Sequence, residues 1–290
     1  MLRTCAALCA FFALSACTEA LGPRPPAARP ASVQATPTGS APPKEPVAAP
    51  APADPPAAWP PRSPPPVATD WCTESVQGLG ADTCFYLPDE PTSTLLIYLH
   101  GVVPPEKTSV QKTTYQAVVA NASRRAKAAA LMPRGRQGLA PKGLEKWWGW
   151  PTSPGTYRRL AGELVDQIAR ARRDLEAASG VSFEHVYLAG SSSGAYFVAT
   201  LAQLGGIEVD GFGAMSGGTA VTNPALRQLA PRPVYIGYGL YDTVGESARA
   251  LAKLLRAERW PVRLAEHRVG HGAKEIYLDE AFPFWREHSK

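Results

Sequence analysis

From about Trp71 onward, the chain alternates short apolar runs with amphipathic stretches of helical length. Residues 95–99 form a continuous apolar run, as expected for a strand that is buried on both faces. Residues 153–179 carry apolar side chains at helical spacing, and Gly180 follows directly after them. Further strands are predicted at 129–132, 185–189, 209–215, 234–238 and 262–266, and further helices at 194–204, 246–257 and 273–288. This alternation predicts an α/β fold with a mainly parallel sheet and helices on both faces.

The residues before Trp71 have a different composition. More than half of the 30 prolines lie between residues 18 and 70, together with many alanines and few large apolar side chains. Such a segment cannot bury enough apolar surface to offset the entropy lost on ordering, and its proline runs favour extended polyproline II structure. We therefore predict a disordered linker over residues 17–70 and a single folded domain over residues 71–290. A Pro-rich ligand for a partner domain is the alternative interpretation of the linker.

The first residues indicate an export signal. A short basic start precedes an apolar stretch from Cys5 to Ala16, which is too short to span a membrane. The stretch ends in the sequence LSAC at Cys17, which resembles a bacterial lipobox. This resemblance implies removal of residues 1–16, attachment of acyl chains such as palmitate to Cys17, and a lipid-anchored exported protein. Because Thr18 rather than aspartate follows, we expect the outer membrane rather than the inner one. An ordinary cleavage site in front of a cysteine is the alternative.

The overall composition excludes several classes of protein. The formal net charge is +5, and no block of Lys and Arg is dense enough to suggest a nucleic-acid partner. No apolar run reaches the roughly 18–20 residues that a membrane-spanning helix needs. Hydrophobic residues make up 45% of the chain, which is too many for a fully disordered protein.

Two of the 5 cysteines, Cys72 and Cys84, lie in the predicted domain. An even pair in an exported chain predicts a disulfide, which here would staple the first hairpin-like stretch of the domain. A metal site would need further ligands close by, and the sequence shows none.

The clearest sign of chemistry is the sequence GSSSG at residues 190–194. It follows a predicted strand and precedes a predicted helix, which is the context in which a G-x-S-x-G turn projects the hydroxyl of Ser192. An alkyl alcohol is a weak nucleophile, so it needs a base and an acid that orients the base. Asp242 and His271 each follow a later predicted strand. Because functional groups gather at the carboxyl ends of parallel strands, we expect the three side chains to meet there.

The chain order Ser192, Asp242, His271, with each residue on a loop after a strand, is the order of the α/β-hydrolases. On these motifs, residues 71–290 resemble a member of that superfamily, and the resemblance implies the α/β-hydrolase fold. Short sequences at 131–135 and 214–217 are similar to those of compact carboxylesterases, thioesterases and polyester depolymerases. No inserted segment is long enough for a large cap domain.

The same resemblance extends to the turn that begins at His100. It implies that the backbone N–H groups of Val102 and Ser193 form the oxyanion hole. Val102 stands where a lipase-like sequence has a second glycine, which is a departure from that pattern. The imidazole of His100 is interpreted as structural.

The segment 134–154 carries Trp147, Trp148 and Trp150. They form either an aromatic wall for the acyl or aryl part of a substrate, or a packing layer that holds the segment to the domain. The sequence alone leaves both interpretations open.

Two other residue patterns have alternative interpretations. Asp210 is the rival of Asp242 as the acid. His267 and His271 form an H-x-x-x-H pattern, but it lacks the helical context of a zinc site, so we expect no metal.

We therefore predict a serine hydrolase that cleaves a small-molecule or polymeric carboxylic ester without a cofactor. We expect it to be monomeric, to contact a membrane through its lipid anchor and to bind no nucleic acid. One alternative is an amidase or peptidase on the same triad. Another is a catalytically inactive hydrolase domain that serves as a surface binding module.

Overall fold

The computed structural model describes residues 67–221, 223 and 225–289. The predicted signal peptide, Cys17 and most of the predicted linker lie outside these residues. Among the residues described, no helix is long and apolar enough to cross a membrane. The N–H of Val67 donates to the carbonyl of Gly78 at 2.9 Å, so contacts with the domain begin before Trp71, at the end of the predicted linker.

One sheet runs through the described part of the chain, with its strands in the order β1-β2-β4-β3-β5-β6-β7-β8. The strands are β1 (Gln77–Gly80), β2 (Thr83–Tyr86), β3 (Thr94–Leu99), β4 (Ala129–Pro133), β5 (His185–Ser191), β6 (Gly211–Met215), β7 (Val234–Gly239) and β8 (Val262–His267). Strand β2 is antiparallel to both β1 and β4. The other six strands, which follow in the sheet as β4, β3, β5, β6, β7 and β8, are parallel to one another. The prediction of a mainly parallel sheet is confirmed.

Helices cover both faces of this sheet. They are α1 (Val110–Arg125), α2 (Pro154–Ser179), α3 (Ser193–Leu204), α4 (Gly245–Ala257) and α5 (Glu275–His288). Side chains of α2, α3 and α4 belong to one apolar core, and those of α1 and α5 belong to a second. Along β3, Leu95 and Ile97 join the first core while Leu96 and Tyr98 join the second. Both faces of β3 are therefore buried, which explains its unbroken apolar run.

Helix α1 was not among the predicted elements, because polar residues occupy its inward face. Lys112 and Gln116 are both buried, and they interrupt the apolar spacing that identifies a helix. Their polar groups are satisfied by backbone: Lys112 Nζ donates to the carbonyl of Asp70 at 2.7 Å, and Gln116 Nε2 donates to that of Trp71 at 2.9 Å. The helix thus holds the segment that precedes β1.

Cys72 and Cys84 form a disulfide, with their Cα atoms 5.5 Å apart. The bond joins the segment before β1 to β2, which lies between β1 and β4 in the sheet. The predicted pairing is present in the structure. For a loop of this size, the chain-entropy model gives a stabilisation of about 3 kcal/mol.

Candidate active site

Ser192 lies at the tip of the sharp turn between β5 and α3. Its φ of 52° and ψ of −120° are a conformation that residues other than glycine rarely adopt. The turn is held to the end of β6, because the N–H of Ser192 donates to the carbonyl of Met215 at 3.0 Å. At Gly194, a Cβ atom would lie 2.2 Å from the carbonyl oxygen of Leu99, so only glycine fits against β3 there. The GSSSG sequence therefore forms the strained strand–turn–helix connection that it predicts.

A continuous hydrogen-bond chain links the three residues predicted to be catalytic. His271 Nε2 lies 2.9 Å from Ser192 Oγ, and His271 Nδ1 lies 2.9 Å from Asp242 Oδ2. With the proton on Nδ1, the imidazole donates to the carboxylate and presents an acceptor to the serine hydroxyl. The loops after β5, β7 and β8 meet at one edge of the sheet and place the imidazole of His271 between the hydroxyl of Ser192 and the carboxylate of Asp242.

The side chain of Asp242 is almost enclosed, with 2% of its surface exposed, whereas the side chain of His271 is 50% exposed. Burial by itself raises the pKa of Asp242. Interactions with His271, with Ser216 and with the N–H of Val244 outweigh this effect and hold the pKa of Asp242 below its usual range. The carboxylate of Asp242 is therefore ionised at neutral pH and can stabilise an imidazolium at His271.

Two backbone amides in the turns around Ser192 have no hydrogen-bond acceptor among the described residues. Ser193 is the first residue of α3, so its N–H has no acceptor within the helix. Val102 lies in the turn after β3 and lines the same cavity as Ser192. Neither N–H donates to another group in the described part of the chain. Both donors are thus available to a substrate oxygen.

His100 supports this turn from inside the protein. Its ring is fully buried, its Nδ1 bonds to the carbonyl of Gly101, and its Nε2 accepts the N–H of Gly135 at 2.9 Å. Burial lowers the pKa of His100 to about 4, although the bond to Gly101 opposes the shift. The imidazole is neutral and structural, as the sequence indicated.

A cavity of about 480 Å³ opens beside Ser192 and His271. It is lined by the turn after β3, the start of α1 and the residues in front of α5, and most of the side chains are apolar or uncharged. Among its described lining residues, Lys274 is the only one with a permanent charge. Lys274 is half-buried and forms no ion pair with a described residue. The cavity can hold a small substrate against the serine.

The tryptophans of segment 134–154 lie elsewhere. Trp150 is fully buried and stacks on Phe197, with ring centroids 5.8 Å apart. Trp148 exchanges two backbone hydrogen bonds with Val103, at 2.8 and 3.0 Å. Neither these two nor Trp147 is among the described residues that line the cavity at Ser192. The packing interpretation therefore describes Trp148 and Trp150 better than the substrate wall does.

The rival residues have other partners. The carboxylate of Asp210 accepts the N–H of Val186 at 2.8 Å, near the start of β5, whereas Ser192 follows the end of that strand. His267 lies 3.5 Å from Glu280, measured from Nε2 to Oε1. In the described ranges, no group of three or more His, Cys, Asp or Glu side chains is arranged to hold a metal ion.

Sequence reasoning missed Ser216. It follows β6 with a φ of 49°, is fully buried, and donates a hydrogen bond from Oγ to the carbonyl of Gly272 at 3.2 Å. It also contributes to the lowered pKa of Asp242. Ser216 thus joins the loop of the predicted acid to that of the predicted base. The available signal was a Ser-Gly pair directly after a buried strand.

Comparison with known proteins identifies the architecture. No protein-family model matches the chain, and no curated protein matches it. Solved structures do match. The esterase PE8 aligns with a TM-score of 0.51 and 18% identity over 68% of this chain and 93% of that protein. The carboxylesterase of Bacillus cereus aligns with a TM-score of 0.52 and 15% identity over 71% of this chain and 93% of that protein.

This chain has the α/β-hydrolase fold. SOBER1 of Arabidopsis thaliana shares it, with a TM-score of 0.51 and 15% identity over 67% of this chain and 98% of that protein. The longest segment between described elements, residues 134–153, forms no large cap domain. At such identities the comparisons show the fold, and the reaction has to be argued from the site itself.

Proposed function

We propose that this protein is a serine hydrolase that cleaves a carboxylic ester through an acyl-enzyme. The observation that carries the proposal is the hydrogen-bond chain from Ser192 Oγ through the His271 imidazole to the Asp242 carboxylate, with both distances at 2.9 Å. The strained backbone of Ser192 and the two free amides beside it support the same conclusion. Two of the proteins that share the fold are named as esterases.

In this mechanism, Ser192 Oγ attacks the ester carbonyl carbon while His271 Nε2 takes the hydroxyl proton. The tetrahedral oxyanion accepts hydrogen bonds from the N–H groups of Val102 and Ser193, and Asp242 stabilises the imidazolium. His271 then returns the proton to the leaving alcohol as the carbon–oxygen bond breaks, which leaves an acyl group on the serine. A water molecule, deprotonated by the same imidazole, then attacks the acyl carbonyl carbon. The bond from that carbon to Ser192 Oγ breaks, His271 returns the proton to Oγ, and the carboxylic acid is released.

Labelling with a fluorophosphonate, together with turnover of p-nitrophenyl esters, tests this proposal. We expect the full-length chain to be labelled and active, and Ser192→Ala to lose both properties. Ser182→Ala is the matched control, because Ser182 is an exposed serine on the loop before β5. A folded wild type that is neither labelled nor active on a panel of esters would support the inactive binding module instead. Faster cleavage of p-nitroanilides than of the matching esters would support the amidase.

We further propose that the domain is held at a membrane surface by lipid on Cys17 and that residues 18–66 act as a spacer. The lipobox-like sequence and the Pro-rich composition carry this proposal. Mass spectrometry of the N-terminal peptide, with membrane fractionation of wild type and Cys17→Ser, tests it. Wild type should carry acyl chains and sediment with outer membranes, and the variant should do neither. An unmodified Cys17 would refute it.

A further inference from the structure

Trp71 stands where the Pro-rich segment ends, and its side chain is only 3% exposed. It lies in a cluster of rings next to the turn that follows β3. Its ring centroid is 5.1 Å from that of His100, in an edge-to-face arrangement. The rings of Tyr115 and Trp148 each lie 6.3 Å away. These separations are those of favourable aromatic pairs. We call Trp71, His100, Tyr115 and Trp148 the aromatic cluster.

The backbone on both sides of Trp71 is fixed. On one side, the carbonyl of Asp70 accepts a hydrogen bond from the buried Lys112 Nζ at 2.7 Å. On the other, Cys72 is tied to strand β2 by its disulfide. The carbonyl of Trp71 itself accepts from Gln116 Nε2 at 2.9 Å. A segment that contributes no strand or helix is therefore held to α1 and to the sheet at successive residues.

The aromatic cluster contacts the turn of residues 100–103, which we call the oxyanion turn. His100 begins it, and both ring nitrogens of His100 bond to backbone groups. Val103 ends it, and two backbone hydrogen bonds join Val103 to Trp148. Trp71 packs against the imidazole of His100 and against the indole of Trp148, whose backbone is hydrogen-bonded to Val103. Val102 lies between these two ends in the chain. The position of its N–H therefore depends on the cluster.

The guanidinium of Arg134 also contacts the cluster. Its guanidinium carbon lies 4.0 Å from the ring centroid of Trp148 and 5.6 Å from that of Trp71. Its charge is paired with Asp82, so the cation is held in place over the rings. Trp71 thus contacts both His100 at the start of the oxyanion turn and an ion-paired guanidinium group.

We infer that Trp71 is a positioning residue for the oxyanion turn, held in place by the Cys72–Cys84 disulfide. The inference rests on the proposed function, and it assigns the first residues of the folded domain, directly after the predicted linker, to the support of the active site. Catalysis depends on the placement of groups to within a fraction of an ångström, and a displacement of about 1 Å can cost on the order of 100-fold in rate. Shortening Trp71 or breaking the disulfide would allow the N–H of Val102 to shift from the oxyanion.

The test compares Trp71→Leu and Trp71→Phe in the full-length chain. The readouts are kcat and KM for p-nitrophenyl butyrate and the inhibition constant of a trifluoromethyl ketone, whose adduct with the serine places an oxyanion in the hole. We expect Trp71→Leu to lower kcat and weaken the ketone on the order of 10- to 100-fold, with KM changed less than twofold. Trp71→Phe keeps an aromatic ring, so it should retain most of both.

Trp260→Leu is the matched control, because Trp260 is 5% exposed and packs in the core on the opposite face of the sheet. It should lower Tm while leaving kcat and the ketone affinity near wild type. The double variant Cys72→Ser/Cys84→Ser, assayed below its own Tm, should show the same kcat loss as Trp71→Leu. If Trp71→Leu does not fold, this double variant and Trp71→Phe decide the question.

Three results would overturn the inference. One is a folded Trp71→Leu that loses Tm but keeps kcat and ketone affinity. Another is a double cysteine variant with wild-type kcat. A third is equal loss of kcat in Trp71→Leu and Trp260→Leu. If the wild type shows no turnover that is lost in Ser192→Ala, the proposed function is refuted as well. The failure of the inference and the failure of the proposed function are therefore distinguishable.

Discussion

Replacing Asp242 with asparagine is expected to lower kcat/KM about 10,000-fold while the domain stays folded. The structure gives the reason. The Asp242 carboxylate is 2% exposed and lies 2.9 Å from His271 Nδ1, so it fixes the proton on that nitrogen. The asparagine amide can instead donate to Nδ1, which moves the proton to Nε2. The imidazole then presents a donor to Ser192 and cannot accept its proton.

The magnitude follows from two losses that occur together. The wrong tautomer removes the general base, and loss of the carboxylate removes the charge that stabilises the imidazolium. Hydrogen bonds to charged groups contribute about 1.5–3 kcal/mol each, and a factor of 10,000 in rate corresponds to about 5.4 kcal/mol. The expected effect therefore requires that both the proton position and the charge stabilisation be lost.

The assay is p-nitrophenyl ester turnover at pH 7, with circular dichroism as the check on folding. Asp210→Asn is the matched control, since Asp210 is the other acid that the sequence offered and its carboxylate accepts from Val186. The control should keep kcat/KM near wild type, and any loss should be in stability. Asp242→Asn with activity within tenfold of wild type, or a larger loss in Asp210→Asn, would refute the assignment.

Three further predictions concern the surroundings of the site. The pKa of His100 falls from 6.5 to about 4 on folding. Between these two pH values the imidazole is therefore protonated in the unfolded chain and neutral in the folded one. Stability should therefore drop by about 3 kcal/mol as pH falls through this range, and urea unfolding should show a smaller drop in His100→Gln. Gly194→Ala should abolish fluorophosphonate labelling and lower Tm, because its Cβ would meet Leu99; wild-type labelling would contradict this. Lys274→Met should reduce the preference for mono-p-nitrophenyl glutarate over p-nitrophenyl pentanoate several-fold, whereas an unchanged ratio would show that the lysine does not contact the acyl group.

The sequence predicted the parts of the fold in which one physical signal dominates. The run at 95–99 predicts a strand buried on both faces, and β3 is such a strand. Helix α1 was not predicted, because Lys112 and Gln116 face inward, where they bind backbone carbonyls of residues 70 and 71. In a sequence, buried polar residues with hydrogen-bond partners cannot be told from surface residues. The apolar spacing that identifies a helix was therefore interrupted.

The candidate site shows the same division. Chain order and strand-end placement were enough to predict that Ser192, Asp242 and His271 would lie together. The position of Trp148 could not be predicted, since an indole packs equally well against a substrate or against the protein's own rings. Its two backbone bonds to Val103 depend on a bridge between distant segments that no local pattern reveals.

Trapping of the acyl-enzyme tests the central claim most directly. The full-length wild type is mixed with p-nitrophenyl pivalate, whose bulky acyl group is hydrolysed slowly, and the quenched protein is digested for peptide mass spectrometry. The proposed mechanism predicts a single pivaloyl group on Ser192, formed with release of one equivalent of p-nitrophenol, and no adduct in Ser192→Ala. A pivaloyl group on another residue, or turnover that persists in Ser192→Ala, would contradict it.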